Sequence, residues 1–101
     1  METICIYKDL FSSRNLDLCE MYIITLIRYG NDKLVKYTFL PKKAAEWCDN
    51  AFDEYQIKFC YEKLVAVGVI DTEETEIELE GREPFKSHID KINEKVLKRV
   101  L

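Results

Sequence analysis

Turn-forming residues are scarce in this sequence, with three glycines and two prolines among 101 residues. That shortage excludes a turn-rich sandwich or barrel and favours a mostly helical chain. Long apolar runs are absent too. The longest, Met21-Tyr22-Ile23-Ile24, is broken at Thr25 before Leu26-Ile27, far below the ~20 residues of a membrane span. Met1-Glu2-Thr3-Ile4 has neither the basic start nor the apolar stretch of a secretory leader, so the expectation is a cytoplasmic protein with no membrane partner. The four cysteines, Cys5, Cys19, Cys48 and Cys60, include no C-x-x-C pair, and His88 is the only histidine. Reduced thiols serving as small buried hydrophobes are therefore expected, with no metal and no cofactor. Three serines and no glycine-rich phosphate loop leave no nucleophile–base arrangement, so no enzyme is expected.

What is present is enough apolar material for one core. Hydrophobic residues make up 48% and charged residues 34%, with a formal net charge of −4, which suits one folded domain rather than a disordered chain or a polyanion binder. Thr3 to Tyr7 reads as a short edge strand and Lys8 to Arg14 as a connector. Asn15 offers an N-cap to a helix whose Leu16, Cys19, Ile23, Leu26 and Ile27 follow 3–4 spacing and which ends near Gly30-Asn31. Tyr22 and Ile24 widen that stripe until nearly the whole circumference is apolar. Lys36 to Leu40 is a short β-like piece, and Pro41 opens a brief helix over 41–49. Asp53 and Gln56 form a capping-box pattern, with Phe52 and Ile57 as the staple. They open a helix buried along Ile57, Cys60, Tyr61, Leu64 and Val67 and closed by Gly68.

Beyond Gly68 the period changes to two. Residues 69–72 and 75–80 read as two strands around a Glu73-Glu74 turn, with Ile77 and Leu79 facing in and Glu76, Glu78 and Glu80 facing out. Pro84 then reads as the start of a last amphipathic helix along Phe85, Ile89, Ile92, Val96 and Val100, with His88 near its solvent-facing start. The expected class is thus mainly α with a small β-hairpin. Residues 1–81 hold the main body, and 82–101 form a C-terminal helix that either packs on it or makes a homodimer seam through 85–101.

Helix, short strand, helix, tight turn, helix and hairpin is an order that resembles the winged helix-turn-helix domain. The junction Leu64-Val65-Ala66-Val67-Gly68-Val69-Ile70 is similar to the exit from the third helix in that family. Tyr7 to Phe11, Leu16 and the Tyr22 to Leu26 stretch resemble the replication-initiator winged-helix domains of phages and plasmids. The resemblance implies that the helix after Asp53 is a recognition helix and that the hairpin is a wing meeting phosphates.

The charges depart from that pattern. Residues 69–83 carry seven acids against Arg82 alone, for −6, while residues 84–101 carry +3. Only Lys58 is a ready phosphate partner on the exposed face made by Tyr55, Lys58, Phe59 and Glu62, and Asp53 and Glu54 lead it. A −6 ribbon beside a duplex loses the counterion-release contribution that supplies most DNA affinity. Three readings follow, the last of them a structural subunit whose last helix docks into a larger assembly. In the first, a non-enzymatic protein binds a partner with a basic surface through Asp53, Tyr55, Phe59, Glu74, Glu76, Glu78 and Glu80. Small size, acidity and the phage-like resemblance make a mobile-element inhibitor that mimics nucleic acid, of which anti-CRISPR proteins are one kind, its expected form. In the second, a DNA-binding regulator or initiator reads bases with Gln56 and Lys58 and holds phosphate with Lys42 and Lys43.

Overall fold

The computed structural model describes residues 6–11, 13–34, 36–77, 80–81 and 83–101. The edge strand expected over 3–7 therefore lies almost wholly outside the described residues, as does Glu78. Among the described residues the chain forms five helices and one two-stranded antiparallel hairpin. In chain order these are α1 (Lys8–Phe11), α2 (Leu18–Lys33), α3 (Pro41–Trp47), α4 (Glu54–Ala66), β1 (Ile70–Ile77), β2 (Phe85–Ile92) and α5 (Glu94–Val100).

The central element is α2. Every residue from Cys19 to Ile27 is buried, as the apolar stripe running round its circumference requires. Its cap is Asp17, not Asn15. The Asp17 carboxylate accepts from the Glu20 N–H at 2.7 Å and Glu20 Oε1 accepts from the Asp17 N–H at 3.2 Å. This reciprocal box satisfies two helix-end donors, which a lone Asn cap does not. Asn15 instead donates its side-chain amide to the Val100 carbonyl at 2.6 Å, fastening the end of α5. The stretch expected to be a plain connector contains the one-turn α1, whose Leu10 is fully buried.

Pro41 occupies the first turn of α3, where its missing N–H costs nothing. Tyr22 crosses from α2 to donate its hydroxyl to the Ala44 carbonyl at 2.7 Å. Between α3 and α4 the chain reverses through Asp49 and Asn50, both at positive φ, a region these short polar side chains tolerate better than most residues. Asp53 then caps α4, accepting from the Gln56 N–H at 2.8 Å. Ile57, Cys60 and Leu64 form its buried face, whereas Val67, expected in the same stripe, is the C-cap and is exposed. Gly68, at φ 88°, releases the chain into the sheet.

The hairpin departs from its sequence reading. No turn occurs at Glu73-Glu74, and β1 runs unbroken from Ile70 to Ile77, while Leu79, expected to face in, lies outside the described residues. Its partner is the segment read as the start of a helix from Pro84. Ile70 faces Ile92, Glu74 faces His88 and Glu76 faces Lys86. Glu73-Glu74 contains no residue suited to reversing the chain, whereas the connection after Ile77 holds Gly81 at φ 78°. The last helix starts only after Asn93, whose side chain accepts from the Val96 N–H at 3.2 Å. The regular stripe from Phe85 to Val100 is therefore divided between a strand and a helix, which a single-helix dimer seam does not allow. Ile92, Val96, Val100 and Leu101 pack against the chain's own core.

One glycine is required by close approach. A Cβ on Gly30 would overlap ring atoms Cγ, Cδ1 and Cε1 of Tyr37, which lies across it in the segment leading to α3. Alanine at a helical position ordinarily gains up to about 1 kcal/mol over glycine. Displacing the Tyr37 ring outweighs that, so Gly30→Ala is expected to lose about 1–2 kcal/mol net in urea unfolding.

Candidate interaction surface

The geometry of the surface is set by a buried carboxylate. Asp90, on β2, is completely inaccessible to solvent. Its Oδ2 accepts from the Phe39 N–H at 2.8 Å and its Oδ1 from the Tyr61 hydroxyl at 2.5 Å. His88 Nδ1 lies 2.8 Å from the same Oδ2, but off the hydrogen-bonding direction, so this is a close polar contact and not an aligned bond. The Asp90 backbone is equally engaged. Its N–H donates to the Tyr37 carbonyl at 2.7 Å, and its carbonyl accepts from Asn31 Nδ2 at 2.9 Å. Asn31 Oδ1 in turn accepts from the Ile92 N–H at 3.2 Å, and the Thr38 hydroxyl donates to the His88 carbonyl at 2.5 Å. Residues 37–39 thus lie along the outer edge of β2, with the Phe39 and Tyr61 rings stacked 5.2 Å apart behind them.

This cluster fixes α4, the 37–39 segment and the hairpin relative to one another. Sequence reading missed it. The available signal was an aspartate in step with Ile92 along a period-two segment, with Asn93 beyond it as the true helix cap. His88 was expected at a solvent-facing helix start; it is instead half-buried on β2, beside Asp90.

On the far side of α4 from Ile57, Cys60 and Leu64 lie Tyr55, Lys58, Phe59 and Glu62, all exposed. Tyr55 is 83% and Phe59 70% exposed. They stand one helical turn apart, neighbours on one face, and neither is covered by the last helix. Asp53 and Glu54 are exposed at the leading end of the same helix. Lys42, Lys43, Gln56 and Lys58 are exposed too, with Lys43 3.8 Å from Glu46.

The hairpin separates its charges by strand. Alternation places Thr72, Glu74 and Glu76 with Asp90, His88 and Lys86 on the face that looks towards Tyr61. Asp71 and Glu73 share the other face with Lys91 and Ile89. Two of the acids expected to stand without counter-charges therefore lie opposite lysines of β2, Glu76 across from Lys86 and Asp71 across from Lys91, while Glu73 faces Ile89. Glu80 is exposed in the connection.

Elsewhere, Arg28 ties three elements together, bonding Asp9 at 3.1 Å and Glu94 at 2.6 Å while its guanidinium lies over the Tyr7 ring. Its hydrogen bonds hold the Asp9 carboxyl below the ordinary carboxylate value. Cys19, Cys48 and Cys60 are free, and burial pushes the Cys19 and Cys60 thiols up, away from reactive thiolate.

These elements define a small, mainly helical α+β domain with a two-stranded antiparallel hairpin. Among the described residues, no helix is long and apolar enough to cross a membrane. Comparison with protein-family models, with curated proteins and with solved structures gives no match for this chain.

Two predictions test the cluster. Asp90→Ala strands the Tyr61 hydroxyl and the Phe39 N–H in the interior, and is expected to cost about 3 kcal/mol or more. Asp90→Asn, which keeps an acceptor oxygen, is expected to cost about half as much by the same denaturant titration. The second concerns alkali. Burial, reinforced by Asp90, raises Tyr37 from its ordinary 10 to about 12, and burial followed by the Asp90 hydrogen bond raises Tyr61 further. Burial likewise raises Tyr22. The folded state favours the neutral phenols, so their contribution is complete below pH 10 and falls as pH climbs towards 12. Stability is expected to decline across that interval, with tyrosinate absorbance from these side chains lagging that of the unfolded chain.

Proposed function

We propose that this chain is a non-enzymatic binding module of winged-helix type that engages a protein partner through the aromatic face of α4. The carrying observation is the pair Tyr55 and Phe59, exposed at 83% and 70% on the side of α4 opposite its buried stripe. Large aromatic side chains left in water next to one another have apolar area to lose on association, and such residues dominate the energetics of interface centres. Asp53, Glu54 and Glu62 around the pair against Lys58 alone suit a partner whose apolar pocket has a basic rim.

The winged-helix reading is supported by the order α2, extended segment, α3, α4, hairpin, and by hydrogen bonding of residues 37–39 along β2. Against a duplex, α4 offers two acids at its leading end and one free-standing lysine, a poor basis for counterion release.

The test compares the native chain with a Tyr55→Ser/Phe59→Ser double variant. Both positions are exposed, so unfolding free energy is expected to change by less than about 1 kcal/mol. Partner affinity, measured on the co-purified complex by titration, is expected to fall at least about 30-fold. Tight duplex binding in a mobility shift, with a steep dependence over ~50–200 mM salt and loss on Lys42→Gln/Lys43→Gln/Lys58→Gln, would overturn the proposal in favour of DNA recognition.

A further inference from the structure

The two outer edges of the hairpin are treated differently. Along β2 the edge is closed: Asp90 N–H and C=O, Ile92 N–H and the His88 carbonyl all find partners in residues 37–39 or Asn31. These bonds also fix the phase of the ladder. Since the backbones of residues 88, 90 and 92 point away from β1, their partners Glu74, Thr72 and Ile70 sit at non-hydrogen-bonded pairs and point their own backbone groups off the opposite edge. Asn93 N–H donating to the Val69 carbonyl fits the same phase. Thr72, Glu74 and Glu76 therefore turn N–H and C=O groups outward, and no described residue bonds them. Asp71, Thr72, Glu73, Glu74 and Glu76 are all exposed.

We propose that the outer edge of β1 is a docking site for an extended basic segment of another protein, which adds to the hairpin as a third strand. The backbone supplies the affinity and the charges supply the selection. β1 carries acids on both faces, Asp71 and Glu73 on one and Glu74 and Glu76 on the other, and no base. An added strand places its side chains directly across from them, where opposite charges are favourable and like charges are not. A second copy of β1 brings acid against acid, so the edge rejects self-pairing. The cations of β2 lie on the far strand, one position further from the incoming chain. A segment with lysine or arginine at successive positions fits both faces at once. This site is independent of the Tyr55–Phe59 face.

The test uses three fluorescent peptides as long as β1, eight residues. One carries lysine at four successive central positions between threonines, one carries glutamate at those positions, and one repeats the lysine sequence with alternate backbone nitrogens methylated. Anisotropy titration is expected to show binding of the lysine peptide, none of the glutamate peptide, and at least about tenfold weaker binding of the methylated one, which keeps its charge but cannot complete a ladder. On the protein, Glu74→Pro removes only an outward N–H, so the β1–β2 ladder keeps its own bonds. It is expected to weaken the lysine peptide well beyond Glu74→Gln, with far-ultraviolet circular dichroism of both variants confirming the fold. The Tyr55→Ser/Phe59→Ser variant is expected to bind the peptide unchanged, which separates this site from the aromatic face. Equal affinity for the methylated and unmethylated lysine peptides, or no binding of either, would overturn the proposal.

Discussion

A carboxylate removed from water must be compensated or protonated, and the arrangement around Asp90 is organised by that requirement. Both oxygens are occupied, by the Phe39 N–H and by the Tyr61 hydroxyl, with the His88 ring alongside. The donors come from an interhelical segment and from α4, while the acceptor belongs to β2. Satisfying one group thus positions three parts of the chain that are far apart in sequence. The constraint extends to α2. Tyr37 accepts from the Asp90 N–H, and its ring lies so close to Gly30 that no side chain fits there. Asn31, the next residue, holds the other side of the Asp90 peptide. Burying a polar network of this kind is unfavourable when any member is unpaired and specific when all are satisfied.

The remaining charged contacts matter according to burial. Glu20 is almost wholly buried, closes the α2 capping box and lies 3.7 Å from Lys63 on α4. Arg28, mostly covered, makes two-atom contacts with both Asp9 and Glu94 and so binds α1 and α5 to α2. Burial opposes its charge, but the bonds to Glu94 and Asp9 outweigh that and keep the guanidinium protonated. By contrast, Lys43 and Glu46 are both exposed at 3.8 Å, a geometry that contributes little in water.

The helical half of the molecule was legible in the sequence because its signals are local. Apolar spacing identified α2 and the buried face of α4, Asp53 marked its cap, and Pro41 and Gly68 punctuated the chain where the backbone needs them. The same helical spacing put Tyr55 and Phe59 on the side away from that face, but could not decide between exposure and cover by the N-terminal strand or the last helix, because that contact is not local. The hairpin was less legible because its decisive contacts are not local. Ile89 and Ile92 are three apart, a spacing that a helix also produces, and the alternation of β2 is disguised because the core-facing residue at 90 is an aspartate. Only partners in α4 and the 37–39 segment make that position habitable. Pro84 looked like a helix start, although Asn93 carries the side chain that caps one. Similarly, Asn15 is a good cap by type, but Asp17 is the residue with a glutamate three positions on to complete the box.

Moving residues 85–92 from a helix to a strand changes the meaning of the acidic ribbon. Taken alone, residues 69–83 carry −6 and look like a phosphate mimic. Paired with β2, Asp71 and Glu76 acquire Lys91 and Lys86 across the ladder about 5 Å away, while Glu73 and Glu74 face Ile89 and His88. The β1 acids are then one strand nearer than the lysines of β2 to the outer edge of β1, where a next strand would lie. A wing built to imitate a duplex would expose its acids broadly, whereas this hairpin carries them beside a line of backbone groups that no described residue pairs. Because Tyr61 and Asp90 hold the hairpin to α4, that edge and the Tyr55–Phe59 face belong to one body. A partner that meets one of them finds the other already positioned, without the ordering cost that a flexible wing would add.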